Sequence, residues 1–370
     1  MSATRPEVSI VIKALNEERH IAAAIESALA AVAGQNGEVI LADSASTDRT
    51  VEIAARYPIK IVSLRRVEDR SCGAGVQLAY QYSRGRYVCL IDGDMRLREG
   101  FVPAAIRFLQ DHPDFAGVGG TSDEHQTGNL EYVKRADASA HDVNAQPGEV
   151  SHLAGGGVYR REAIESVGYL GDRNLHSTEE LELGIRLDAL GWKLARIDIA
   201  AFDHYGRPGN AYSLLLRRWA SRYAFGTGEV LRAAFGENHL RLTLRKLRWQ
   251  LFLWSAVHVW WLALAIMLVL APGLVAAAIA TAAIALLPFV VMSARCRSIR
   301  IGVYSVVAWN IYAAGLWPGL LRSRVDPTDW IDSVVIRDAI LAQSRAAPRP
   351  PARASAALNN LVTGWGANEP

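Results

Sequence analysis

The sequence predicts an α/β domain, a mostly parallel sheet covered by helices, followed by a C-terminal helical membrane region. Two observations carry this. Over the first hundred residues, short apolar runs alternate with segments of helical period, the pattern of strands joined by crossover helices. After about residue 250 charge almost disappears for three long stretches, each near the ~20 residues that cross a bilayer core.

The elements follow in order. Val8-Ser-Ile-Val-Ile12 reads as a short buried strand. A helix starts near Glu18, with Ile21, Ile25, Leu29 and Val32 as one apolar stripe. Val39 to Ala42 is a second strand, and Thr47 to Tyr57 a second helix closed by Pro58. Ile59 to Leu64 is the third strand. A helix around Ala74 to Tyr82 leads into the fourth, Tyr87 to Ile91. Asn16-Glu17, Asp43 and Asp92-Gly93-Asp94 each stand just past a strand end. Ligands of such sheets bind beyond the carboxyl ends of the strands.

The stretch from Phe101 to Arg207 is less regular. His152-Leu-Ala-Gly-Gly-Gly157 fits a backbone that approaches a ligand, and equally a flexible hairpin. Ser177 to Leu190 reads as a helix stopped by Gly191, with a strand near Leu194 to Ile197.

Asp92 and Asp94 are one residue apart after a buried strand. On an extended segment both side chains point to one side. Mg²⁺ and Mn²⁺ take oxygen ligands, commonly one or two carboxylates plus substrate phosphates. Gly93 lets the backbone pass close to a ligand. Asp-Gly-Asp also makes an ordinary turn, so the motif needs support from elsewhere.

Composition narrows the field. The chain has 370 residues, net charge +3 and 21% charged residues, and nothing in it demands nucleic acid. Cys72, Cys89 and Cys296 lie far apart, without the spacing of a metal or redox site, which fits a reducing compartment. Met1 to Glu7 is polar, so no secretory signal is expected there.

Leu251 to Leu270, Leu274 to Met292 and Ile301 to Leu321 are the membrane candidates, the first two separated by Pro272-Gly273. At least two spans are expected. Trp249, Trp254, Trp260 and Trp261 suit an interfacial belt. Arg241 to Arg248 and the Arg295, Arg297, Arg300 cluster bracket the first two runs. The positive-inside tendency then puts both clusters and the catalytic part in the cytoplasm, at a bacterial inner membrane. A full crossing by the third run would carry Arg322 and Arg324 outside, so that run is re-entrant or interfacial, or the tendency fails there. Expected boundaries are a domain over 1–235 (nucleotide half 1–100, acceptor half 101–210, interface helices 211–248), a membrane region of two to three helices over 250–322, and a partly disordered tail over 323–370.

Val8-Ser-Ile-Val-Ile-Lys-Ala-Leu-Asn-Glu-Glu18, Asp43-Ser-Ala-Ser-Thr-Asp48, Asp92-Gly-Asp94 and Thr178-Glu-Glu180 stand in the order and spacing that resemble family 2 glycosyltransferases, over about residues 6 to 222. The whole pattern is similar to membrane-anchored exopolysaccharide glucosyltransferases of the succinoglycan type. The resemblance implies a GT-A (Rossmann-like) nucleotide-sugar-binding domain, a nucleotide-diphospho-sugar donor and Mn²⁺ or Mg²⁺. It implies Glu17 and Asp43 at the ribose and base, Asp92 near the ribose and metal, and Asp94 as the metal ligand touching the diphosphate. It implies Glu180 as general base, with Glu179 the runner-up. Ala14, Asn16, Arg70 and Gly93 join the candidate nucleotide-sugar contacts. Arg218-Trp219 match the end of a Gln-x-x-Arg-Trp motif of processive members, but Leu215 occupies the Gln position, which counts against processivity. Lys13 stands where Pro is common, and Ser44-Ala45 where Asp-Gly is common. His204, in Asp203-His-Tyr-Gly-Arg207, is a candidate metal ligand by the same resemblance, against the reading of an ordinary packed histidine. Arg70 could reach the diphosphate, but a surface arginine is its better default reading.

The helix itself supports Glu180. Glu180, Leu183, Leu187 and Leu190 fall on one stripe, and Glu179, Glu182 and Arg186 on another, with Glu182 and Arg186 placed for a solvent pair. A carboxylate at a helix N-terminus is favoured in its charged form. Ser177-Thr-Glu-Glu180 also reads as a capping box, in which Glu180 only caps the helix. Arg217, Arg218, Trp219 and Arg222 form a basic, aromatic helix that suits either a membrane surface or a diphosphate.

The expected function is inverting transfer of a sugar to a lipid-linked or saccharide acceptor in cell-surface glycan synthesis. Alternatives are a polyprenyl-phosphate sugar synthase and a non-catalytic nucleotide-sugar-binding membrane module. A nucleotidyltransferase would want a glycine-rich loop after the first strand, and Lys13-Ala-Leu-Asn-Glu17 has no glycine.

Overall fold

The computed structural model describes residues 5–125, 128, 130–131, 142–206, 209–270 and 274–338. Arg207, the Pro272-Gly273 break and the tail from 339 onward lie outside the described residues. The strands are β1 (Val8–Ala14), β2 (Gly37–Asp43), β3 (Lys60–Leu64), β4 (Tyr87–Asp92), β5 (Met95–Leu97), β6 (Phe115–Glu124), β7 (Gly148–Val150), β8 (Gly157–Arg160), β9 (Lys193–His204) and β10 (Ser333–Arg337). The helices are α1 (Ile21–Val32), α2 (Thr50–Ala54), α3 (Cys72–Tyr82), α4 (Phe101–Asp111), α5 (Arg161–Ser166), α6 (Glu179–Ala189), α7 (Ala211–Ala220), α8 (Gly226–Ala234), α9 (Leu240–Lys246), α10 (Arg248–Leu270), α11 (Leu274–Arg295) and α12 (Ile299–Leu321).

The strands form one sheet in the order β10-β3-β2-β1-β4-β8-β6-β9-β5, with β7 beside β9. β3, β2, β1 and β4 are parallel, so the polar exits of β2, β1 and β4 are neighbours along one edge. Beyond β4 the sheet is mixed rather than mostly parallel. β8 runs antiparallel to β4 and β6, and β5 and β7 antiparallel to β9. The glycine run explains the reversal. Gly156 has φ +101°, and a Cβ there would lie 2.2 Å from the Leu90 carbonyl oxygen. The run therefore serves as a close crossing of two chains into β8.

Both faces of the sheet are covered, which is why its strands read as near-continuous apolar runs. Along β1, Ile10 and Ile12 enter a core with Ile21 and Ile25 of α1 and Phe101 of α4. Val11 enters the opposite core with Leu78 of α3 and Leu183 of α6. The pleat then puts Lys13 on the α3/α6 side, in register with Asp92.

The helix carrying Glu179 and Glu180 departs from its expected stripes. Glu179, Glu182 and Arg186 are buried, whereas Leu190 is 58% exposed. Glu182 and Arg186 form a buried pair rather than a solvent one: Arg186 Nε donates to Glu182 Oε1 at 2.7 Å, and the guanidinium lies 3.7 Å over the Tyr169 ring. Tyr169 covers the face that period alone assigns to solvent. The capping box is absent too. Thr178 is the N-cap, in a left-handed conformation and without a side-chain cap.

Among the described residues, three helices are long and apolar enough to cross a membrane: Arg248–Val269, Ala278–Arg295 and Ile299–Leu321. They differ in setting. None of the Ala278–Arg295 window is buried, against 39% of the Ile299–Leu321 window. Near its start, Tyr304 of α12 packs on Ala211 and Leu215 of α7. Just past its end, Arg322 bonds to Glu229 of α8. Both ends of α12 therefore lie against helices that follow the sheet, α7 and α8. Of the four tryptophans, Trp249 is 68% exposed and Trp254 buried, while Trp260 Nε1 donates to the Ile284 carbonyl at 2.9 Å and Trp261 Nε1 to Asn310 Oδ1 at 2.7 Å. After α12 the chain returns to the sheet and adds β10 antiparallel to β3, a strand that the sequence reading assigned to the tail.

Candidate active site

Lys13 organises the centre of the site. Its Nζ lies 2.7 Å from Glu179 Oε1 and 3.3 Å from Asp92 Oδ1. One ammonium thus joins the end of β4 to the head of α6. A lysine in an otherwise apolar strand needs such counter-charges. Burial works against its charge, but Asp92, Glu179 and Glu180 outweigh it and hold its pKa well above the usual lysine range. Cys72, at the start of α3, shares this environment, and burial followed by the Glu179 charge pushes its thiol up.

Glu180 stands beside this pair. Burial, then the neighbouring Glu179 charge, pushes its pKa up to about 7. The helix dipole was expected to favour the charged form. Desolvation and a like charge overcome it here, and the result is a carboxylate poised near neutrality, as a general base should be. Glu179 Oε1, by contrast, is taken up by the Lys13 ammonium.

Asp94 and His204 meet where β5 pairs with β9. His204 Nε2 is 3.4 Å from Asp94 Oδ2, and its Nδ1 is 2.8 Å from Glu124 Oε2. Burial opposes a charged ring, but the bonds to Asp94 and Glu124 raise His204 to about 10. Among the described residues no three His, Cys, Asp or Glu side chains converge as a ligand set. A cation that displaces the Nε2 proton and takes its remaining ligands from phosphate and water fits the pair Asp94–His204, with Glu124 fixing the ring from behind. Asp92, expected in the same set, faces Lys13. Burial raises its pKa, the Lys13 charge partly offsetting this.

The nucleotide-side residues form a tight turn. Asp43 is 1% exposed, accepting from Ser63 Oγ at 2.7 Å and from the Ser46 amide at 3.1 Å. Asn16 receives the Thr47 amide at 2.8 Å. Ala45 has φ +57°, a conformation natural to glycine. Arg70 braces this turn, donating Nε to the Ser44 carbonyl at 2.8 Å and NH2 to that of Ala45. Gly93 sits close over Ala14 and Glu17, each with a side-chain atom 3.0 Å from where its Cβ would be.

Arg218 and Trp219 are held by contacts with other partners. Arg218 NH1 donates to Glu131 Oε1 and to Tyr312 Oη, both at 2.7 Å, and stacks on Tyr223. Trp219 packs edge-on against Phe225. Leu215, at the Gln position, is buried against α12. Its apolar character anchors α7 to the membrane-proximal helix.

Sequence reasoning treated Lys13 only as a departure from a pattern and missed Glu124. Lys13 carried a signal, being a cation in a buried strand. Glu124 carried none, because its partner lies 80 residues away.

Residues 9–168 match the family described as Glycosyl transferase family 2. That match takes in less than half of the chain. EpsE of Bacillus subtilis, named a glycosyltransferase, is 31% identical over 118 residues, which are 31% of this chain and 42% of that protein. The succinoglycan biosynthesis protein ExoO of Rhizobium meliloti is 32% identical over 116 residues, 30% of this chain and 31% of that one. The matched segment thus spans less than half the length of either relative. A mannosyltransferase from Pyrobaculum calidifontis, solved with GDP-Man and Mn²⁺, shares the fold with a TM-score of 0.56 at 18% identity, covering 85% of this chain and 89% of that one. The fold is the mixed α/β GT-A fold.

Proposed function

We infer that this chain is an inverting glycosyltransferase moving a sugar from a nucleotide-diphospho-sugar to a lipid-linked or saccharide acceptor. The observation that carries the reading is the shared Lys13 ammonium, which brings the Asp92 end of β4 and the Glu179-Glu180 head of α6 into one ion-paired cluster. Donor-side and base-side carboxylates are then within reach of a single sugar nucleotide. Glu180 takes the acceptor hydroxyl proton as that oxygen attacks the anomeric carbon, and the bond from that carbon to the diphosphate breaks on the opposite face. Asp94 and His204 would hold Mg²⁺ or Mn²⁺, which supplies charge neutralisation to the departing diphosphate. Lys13 keeps Glu179 paired and adds positive charge near the donor.

The relatives support a role in glycan synthesis, one being named for succinoglycan biosynthesis. The exposed α10–α11 pair, with Arg248 at one end and Arg295 at the other, supports membrane seating with the site on the side of the basic clusters. A lipid-borne acceptor suits that placement, and so does the cytoplasmic face of a bacterial inner membrane. The test is a donor screen on the full-length protein in detergent, with Mn²⁺ or Mg²⁺ and a lipid extract, reading nucleotide release. Release dependent on both the cation and the extract is expected. Bound donor without release under any combination would instead indicate a binding module.

A further inference from the structure

The chain that delivers Glu179 and Glu180 is strained. Thr178 has φ +63°, and a β-branched residue there is a genuine outlier. Such a conformation persists only where its surroundings over-determine it. Those surroundings come from far along the sequence. Ser177 Oγ donates to the Tyr223 carbonyl at 2.7 Å. At Gly226 a Cβ would fall 1.9 Å from Ser177 Oγ, so the start of α8 must be bare.

The residues just past α12 complete the grip. His176 donates its backbone N–H to Glu229 Oε2 at 2.8 Å, and its Nδ1 lies 2.8 Å from Glu229 Oε1. These two side chains are 5% and 3% exposed. Arg322 NH1 donates to Glu229 Oε1 at 3.2 Å and lies against the imidazole. Arg324 pairs with Asp172, which is fully buried. Asn174 and Val325 exchange two hydrogen bonds, both 2.9 Å. The loop 172–178 is therefore stitched to residues 322–325 at Asp172, Asn174 and His176.

Fastening alone does not call for this chemistry. A buried ion pair adds little net stability over well-packed apolar residues. Charge-assisted hydrogen bonds do add direction, and direction is what a strained loop ahead of a base needs. The arginines follow α12 directly, and that helix packs closely on α8, where a Cβ at Gly228 would lie 2.1 Å from the Leu316 carbonyl oxygen.

We propose that Arg322 and Arg324 are positioning residues for the catalytic base: with Glu229, His176 and Asp172 they clamp the strained loop 172–178, so that Glu179-Glu180 face the donor only while α12 is seated. The activity arm of its test rests on the glycosyltransferase reading; the exchange arm does not.

The test uses full-length protein with the donor that gives most release in the screen. Arg322→Ala and Arg324→Ala are compared with Arg322→Lys, Arg324→Lys and, as a control, Arg65→Ala, which removes an exposed pair between the end of β3 and Asp332, farther along the chain that follows α12. In the alanine variants kcat should fall about tenfold or more with donor KM held within about twofold. Amide hydrogen exchange should quicken over 172–180 but not in β1 or β4. The lysine variants should fall between wild type and alanine, and Arg65→Ala should match wild type. If the alanine variants do not fold, the lysine variants carry the same comparison. Unchanged kcat in folded variants, or exchange over 172–180 that stays at the wild-type rate, overturns the clamp. Should wild type release nothing from any donor, the glycosyltransferase reading fails, and exchange alone decides the clamp.

Discussion

The pH dependence of kcat/KM reports the free enzyme's base, and the base named here has an unusual one. With Glu180 at about 7, half of it is charged at pH 7 and roughly a tenth at pH 6, so kcat/KM should drop about fivefold between them. A glutamate left near 4.5 would change by only about 3% over that interval. Burial and the Glu179 charge raise this limb, and Lys13 opposes them, since its ammonium favours the charged carboxylate. Replacing it in Lys13→Met should carry the limb toward alkaline pH by about one unit, because an opposite charge at close range commonly shifts a carboxylate by about 1–3. At pH 6 that amounts to a further loss of roughly tenfold. Initial rates of nucleotide release between pH 5.5 and 8, at subsaturating donor and fixed Mn²⁺, measure both limbs. A flat wild-type profile refutes the Glu180 assignment. A limb that stays in place in Lys13→Met refutes the electrostatic role of Lys13.

Four further outcomes are expected. Glu180→Gln should spare donor binding and reduce turnover by about 10²–10⁴; if Glu179→Gln does so instead, the base is one residue earlier. Asp94→Ala should abolish cation-dependent donor binding in a calorimetric titration with Mn²⁺, while Glu124→Gln, which removes the partner of His204 Nδ1, should weaken Mn²⁺ about 10–100-fold. Ala45→Gly should raise the denaturation midpoint, worth about 0.5–1 kcal/mol, as relief of the left-handed strain exceeds the entropy cost of glycine. Glu182→Ala, which strands the buried Arg186, should destabilise by about 3–5 kcal/mol, whereas Glu52→Ala, in an exposed pair, should cost under about 1 kcal/mol.

Local chemistry wrote much of this protein into its sequence. Strand and helix alternation along residues 8–92 was legible because both faces of the sheet are covered, so its strands are apolar throughout. The strand exits Asn16-Glu17, Asp43 and Asp92 were legible because polar groups interrupt those runs. The long apolar helices were legible because lipid tolerates few alternatives. What distance joins could not be read this way. Period placed Glu182 and Arg186 in water, but Tyr169 buries them. The helix N-terminus argued for a charged Glu180, but desolvation depends on what covers it. Lys13 finds Glu179 across 166 residues, and Arg322 reaches Glu229 across 93. Sequence spacing encodes the contacts of a helix turn or a strand pleat, whereas burial and pairing of charge are set only when remote segments are packed together.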